Sequence, residues 1–187
     1  MSSSALALEL PDGTRLSVPE DTTPLDVARQ IGPGLAKAAL SSQLDGAWID
    51  LRAPLRESGA LRLVTARDDE AAEIIRHSAE HVMADAVKRL WPGTQIDVGR
   101  SGRDGKFQYD FDIPERLSAG DLPRIEGEMQ RIIGEDLAFE REVVTHAEAR
   151  REFEAQGDQL KVSRIDDLPK DAEITLFRHG DFVDVCR

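Results

Sequence analysis

Four kinds of side chain in this sequence could do chemistry together. Two histidines, His77 and His81, stand four residues apart in IIRHSAEHVMADAVKRLWPG (74–93), so on a helix their imidazoles point at one spot. The only cysteine, Cys186, follows Asp184 by two residues in DFVDVC, and Lys161 lies in QLKVSRI. An imidazole exchanges protons near neutral pH, a thiol is a nucleophile or a ligand, and an ammonium stabilises developing negative charge. Two histidines and a cysteine are also three ligands of the kind zinc takes, and spacing alone does not separate the two chemistries.

The elements that must position these groups can be read from periodicity. Asp68, Asp69 and Glu70 place negative charge on the first turn of a helix that Pro92 and Gly93 stop. At 100° per residue, Ile75, Ala79, Val82, Met83, Ala86, Val87 and Leu90 form one apolar stripe, and His77 and His81 fall opposite its centre. They are therefore expected off the core, on a face that either is solvated or lines a cleft. TQIDVG, KFQYDFD, QLKVSRI, EITLF and DFVDVC read as strands. Alternation puts Tyr109 on a packing face with Phe107 and Phe111, sets Lys161 and Ser163 against Leu160 and Val162, and gives Asp184 and Cys186 a polar face of the terminal strand. Two further helices are expected: DLPRIEGEMQRIIGED, and THAEARREFEAQG with a Thr145/Glu148 capping box and His146 on the surface.

Before residue 67 the pattern changes. ALALEL and TRLSVP alternate around a PDG turn, a hairpin signature. In DTTPLDVARQIG, Thr23 caps a helix, Pro24 takes its first position, Asp26 completes a capping box and Gly32 ends it; AWIDL and LRLVT return to strands. A hairpin, one helix and further strands suit a small mixed sheet with a helix across it. The chain thus reads as α+β, in two modules, residues 1–66 and 67–187. The first is nearly neutral, so the net charge of −12 falls almost wholly on the second, which should repel a polyphosphate at long range. No apolar run approaches a membrane span and the start lacks a signal-peptide pattern, so we read the chain as cytoplasmic and without a membrane partner. A lone cysteine makes no internal disulfide.

HSAEH on a helix, then LWPGTQ, QYDFD, LKVS and finally DFVDVCR, in that order, resemble the amino-terminal region of bacterial threonyl-tRNA synthetase, and TPLDVARQIGPGLAKAAL is similar to its TGS domain. The resemblance covers essentially the whole chain. It implies a ubiquitin-like β-grasp TGS domain followed by an editing domain that hydrolyses serine wrongly esterified to threonine tRNA. The positions it matches are His77, His81, Lys161 and Cys186 as catalytic residues, with Asp184 and Tyr109 bordering the substrate. Its logic is physical: one methyl group gives a synthetic pocket only about 1–3 kcal/mol of discrimination, so a second sieve is needed. On chemical grounds His77 suits a base or water positioner, Lys161 a charge stabiliser, and Asp184 a partner for the substrate's ammonium.

The resemblance further implies the acceptor end of threonine tRNA carrying serine as the partner. It implies no cofactor for this chain, with ATP and a catalytic zinc confined to a synthetic core after residue 187, through which the whole enzyme would dimerise. Accordingly we expect no charging of tRNA by this chain. The family pattern continues C-R-G-P-H, so the editing domain is expected to be cut short at Arg187, with hydrolysis weakened. Zinc on His77, His81 and Cys186 is disfavoured against bound water. The acidic module need engage only the terminal adenosine and its amino acid, delivered at high effective concentration. Two other readings stand beside this one: a non-catalytic TGS-containing protein-binding module with solvated histidines, and a zinc-dependent hydrolase of another small ester.

Overall fold

A computed structural model describes residues 5–101 and 105–186, apart from the side chains of Val98, Arg100, Ser101 and Cys186. The chain divides into two compact units, residues 1–75 and 76–187. Among the described residues, no helix is long and apolar enough to cross a membrane.

In the first unit the Asp12–Gly13 turn closes a hairpin of β1 (Ala5–Glu9) and β2 (Arg15–Pro19). Gly13 takes φ of +83°, and the Asp12 carboxylate accepts from the backbone N–H of Thr14 at 2.9 Å. Helix α1 (Pro24–Ile31) starts as its sequence dictates, with Thr23 and Asp26 each accepting from the other's backbone N–H. After α2 (Pro33–Ala38) come β3 (Ala39–Leu44), β4 (Ala47–Ile49) and β5 (Gly59–Thr65). The five strands form a mixed sheet in the order β2-β1-β5-β3-β4, with β1 and β5 parallel. Leu6, Leu8, Val18, Val27, Leu44, Leu55 and Leu61 make the core. Strand β3 went unread because its buried position 42 holds a serine, whose hydroxyl is satisfied by donating to the Ile49 carbonyl at 2.8 Å.

The second unit is organised by α3 (Ala71–Leu90), which begins just before it. Strands β6 (Gln95–Ser101) and β7 (Phe107–Asp112) form a two-stranded ribbon. A 3-10 turn (Ala119–Asp121) leads into α4 (Leu122–Gly134), followed by β8 (Glu140–Val144), α5 (His146–Ala155) and α6 (Gln159–Asp166). Strands β9 (Ile174–His179) and β10 (Phe182–Cys186) complete an antiparallel sheet in the order β10-β9-β8. Ile174, Leu176 and Val183 pack one face of that sheet on Ala149 and Phe153 of α5 and Val162 and Ile165 of α6. From the opposite face Phe182 packs with Ala84 of α3, Ile96 of β6 and Tyr109 and Phe111 of β7. Strands β9 and β10 are therefore covered on both sides, whereas β8 is largely exposed.

Three expectations fail here. QLKVSRI is not a strand but helix α6, because Asp158 caps it: the Asp158 carboxylate accepts from the Lys161 N–H at 3.1 Å, and Val162 and Ile165 share the buried side at helical spacing. His146 is not a surface residue; it is 7% exposed, with Nε2 donating to the Ile165 carbonyl at 2.8 Å. Nor is His81 opposite the core, although His77 is only partly buried. The outlying member of the expected apolar stripe, Ile75, is 50% exposed, whereas Glu80, His81 and Asp85 are buried with Val82, Ala86 and Val87.

Asp158 is 2% exposed, and besides capping α6 it accepts from the Ile96 N–H at 3.3 Å and lies 3.7 Å from Lys88 Nζ. Asp158→Ala should therefore cost more than an exposed cap, about 2 kcal/mol or more, since a buried N–H loses its acceptor as well. Thr23→Ala, at the exposed capping box of α1, should cost ~1 kcal/mol. Denaturant unfolding of both variants checks the difference; equal losses would show that Asp158 acts as a cap alone.

Candidate active site

Three of the residues singled out in sequence meet the carboxylate of a fourth, Asp184, and a fifth, His77, joins them through His81. Asp184 on β10 has no exposed surface. Its Oδ1 lies 2.7 Å from Lys161 Nζ and accepts from the Val185 N–H at 2.8 Å, and its Oδ2 accepts from the Tyr109 hydroxyl and sits 3.2 Å from His81 Nδ1. The His81 contact falls short of good hydrogen-bond geometry. Burial is the largest single influence on this carboxyl and acts to raise its pKa; His81 and Lys161 together outweigh it and hold the pKa at about 2. Both oxygens are engaged, so the substrate-ammonium role expected for Asp184 does not fit its surroundings.

Outward from Asp184 the chain of contacts continues to His77, whose Nε2 is 3.1 Å from His81 Nε2. Only one of these two nitrogens can carry the hydrogen between them. A carboxylate beside His81 Nδ1 favours the proton there, which makes His81 Nε2 the acceptor, His77 Nε2–H the donor, and places the lone pair of His77 on Nδ1. The Phe177 ring lies 6.5 Å from the His77 ring and stacks on that of His81 at 6.0 Å, which fixes the planes of the pair. On the other side, Lys161 is 4% exposed, donates to the Asp97 carbonyl at 2.8 Å, and has its ammonium 5.8 Å from the centre of the Tyr109 ring. Two oxygens thus meet this ammonium, and among the described residues no third acceptor does.

Local sequence explains each placement. Helix α3 carries His77 and His81 one turn apart, β10 alternates Asp184 against Val183, and α6 aims Lys161 back along its first turn toward β6. Gly99 lets β6 come close: a Cβ there would lie 2.1 Å from Glu80 Oε1 and 2.8 Å from Tyr109 Cε2. The residues that sequence reasoning missed are those that support this group. Phe177 pairs with Asp184 across β9 and β10, and His179 is 2% exposed with Nδ1 3.6 Å from Asp85 Oδ2. Asp158 was readable, as an acidic residue directly after Gly157 and before a run with helical spacing. Phe177 and His179 carried no signal, since their partners are distant in sequence.

Among the described residues, no group of three His, Cys, Asp or Glu side chains is gathered as for a metal ion. The side chain of Cys186, the third ligand entertained above, lies outside the described residues. A recess of about 470 Å³ opens farther along α3, between Asp85, Arg89, Glu135 and Phe182, and none of the five clustered residues lines it.

The buried carboxylate predicts an acid signature. Its pKa falls from 3.8 to about 2 on folding, so it contributes stability that is fully present above pH 4 and is lost as pH drops through that interval, about 2 kcal/mol in all. Asp184→Asn should lower stability at pH 7 by about 3 kcal/mol, because Lys161 keeps a buried charge without its partner. The same variant should flatten the unfolding free energy between pH 4 and 2 relative to the parent. Parallel pH profiles for the two proteins would contradict the pairing.

Comparison with known proteins supplies the family context. Residues 8–65 match the TGS domain family. Over 181 residues the chain is 44% identical to the threonine–tRNA ligase of Halalkalibacterium halodurans, covering 96% of this chain and 28% of that protein. The threonine–tRNA ligases of Carboxydothermus hydrogenoformans and Acidiphilium cryptum are 44% and 46% identical, each over 97% of this chain and 28% of their own length. The chain spans little more than a quarter of the curated relatives it matches. Residues 8–65 are thus a TGS domain, and the chain as a whole is similar to the amino-terminal part of bacterial threonine–tRNA ligases.

Proposed function

We propose that this chain is the proofreading part of a threonine–tRNA ligase, with a TGS domain over residues 1–66 and, from residue 67, an editing domain that hydrolyses serine from mischarged threonine tRNA. The observation that supports this reading most is the convergence of His81, Lys161 and Tyr109 on the buried Asp184, with His77 joined to the group through His81. Ester hydrolysis needs a base for water and a positive group for the carbonyl oxygen, and the cluster offers both within one unit of the fold.

In the reaction, water attacks the seryl carbonyl carbon as His77 takes its proton, and the remaining Lys161 hydrogen meets the oxyanion. The bond from that carbon to the ribose oxygen then breaks, and the imidazolium returns its proton to the ribose hydroxyl, leaving serine and uncharged tRNA. Asp184 does not touch substrate in this scheme. It lies beside His81 Nδ1, pairs with the Lys161 ammonium and accepts from Tyr109. Threonine differs by one methyl, and a pocket that fits serine closely excludes it by size, the reverse of the selection a synthetic pocket makes. Binding of the acceptor end rests on contacts near the ester, because the net charge of −12 opposes long-range attraction of tRNA.

Lys161→Ala is an unsuitable probe, since it strands the buried Asp184 charge; Lys161→Arg keeps the charge while moving its donors. Deacylation of seryl-tRNA and threonyl-tRNA should be followed side by side with protein in excess. The expected result is seryl release at least tenfold faster than threonyl release, with His77→Ala and Lys161→Arg each slowing it by about 10². Seryl release no faster than in buffer, or unchanged in both variants, would overturn the reading.

A further inference from the structure

Lys161 is the one proposed catalytic group carried by a short helix, and something must hold that helix in register with the ribbon facing it. The holding point is Asp97. On β6, Ile96 pairs with Phe111 of β7 while Gly99 pairs with Tyr109, so β6 takes three steps where β7 takes two. The extra residue makes a β-bulge at 97–98, a device that re-aims groups at strand ends and near sites. Through the bulge Asp97 meets α6 twice. Its backbone carbonyl accepts from Lys161 Nζ at 2.8 Å, and its carboxylate takes the Arg164 guanidinium in a two-point contact, Arg164 Nη2 lying 2.8 Å from Oδ2 and Nε bonding Oδ1. Lys161 and Arg164 are three residues apart, hence neighbours on one side of α6.

We infer that Asp97 is a positioning residue for Lys161: its ion pair with Arg164 locks the bulge against α6 and thereby fixes the carbonyl that aims the ammonium. The alternative is a merely structural ion pair, and exposure separates the two. The Arg164 side chain is 54% exposed and that of Asp97 21%, and Arg164 is also within 3.9 Å of Asp167, so this pair adds little to stability. A bidentate guanidinium–carboxylate contact nevertheless restricts orientation strongly. The pair should therefore matter to geometry far more than to folding. Its catalytic consequence rests on the editing reaction proposed above; its effect on the Lys161 ammonium does not.

The test uses the whole chain, labelled with 15N-lysine, and two readouts. The first is the proton–nitrogen signal of the Lys161 ammonium, identified by its loss in Lys161→Arg; a buried, doubly bonded ammonium exchanges slowly enough to be seen, whereas solvated ones are broadened. The second is single-turnover deacylation of seryl-tRNA. Asp97→Asn and Arg164→Gln should each broaden the ammonium signal and lower the deacylation rate at saturation about tenfold, with half-saturation within twofold and the thermal midpoint unchanged. Exchanging the charges, Asp97→Arg with Arg164→Asp, should recover part of both. Retention of signal and rate in both single variants overturns the inference. If the parent does not deacylate seryl-tRNA, the editing reading fails and the ammonium signal alone decides: broadened in both variants, the positioning role stands; unchanged, it falls.

Discussion

A carboxylate with no exposed surface cannot stay charged unless the fold brings it cations and donors, and Asp184 obliges this one to do so. Its partners come from three separate elements: His81 from α3, Tyr109 from β7 and Lys161 from α6. The complete group therefore requires the sheet, the ribbon and two helices together. The attraction between Lys161 and Asp184 also offsets the cost of burying each, a balance that fails when either is removed. In this sense the site is part of the core and not an addition to its surface.

Much of the architecture was legible because it rests on local rules. The capping boxes at Thr23 and Thr145, the proline at the start of α1, the Asp12–Gly13 hairpin and the ribbon of β6 and β7 all follow from short-range chemistry that the sequence displays. Helix α6 was obscured because Leu160 and Val162 satisfy a two-residue period over so short a run, while the 162–165 spacing that marks the helix needs one more turn to stand out. The position of the histidines on α3 was right and their environment was not. A helical wheel assigns polar side chains to water by default, and the ring that stacks on His81, Phe177, lies nearly a hundred residues later in the sequence.

Of the six residues matched by family resemblance, five lie together in the fold, and the side chain of the sixth, Cys186, lies outside the described residues. Asp184, expected against the substrate, is wholly buried with both of its oxygens engaged by the protein. Residues with no catalytic signature in the sequence, Phe177, Asp158 and Asp97, turn out to contact this group or the elements that carry it, by stacking on His81, capping α6 and accepting from Lys161. Supporting residues of this type leave little trace in composition or spacing, because their role is defined by a partner distant along the chain.

The missing side chain at Gly99 has a consequence for how such a sequence can diverge. The space a methyl group would occupy there is already filled by the Glu80 carboxylate and the edge of the Tyr109 ring. Positions 80, 99 and 109 are therefore a single unit of change: a larger residue on the strand is compatible only with smaller or displaced neighbours on both the helix and the adjacent strand. Drift at any one of the three reaches the hydroxyl that bonds Asp184. A lineage that altered the helix residue between the two histidines would thus find a new set of substitutions open on the ribbon, and would reshape the floor of the site without touching a reactive group.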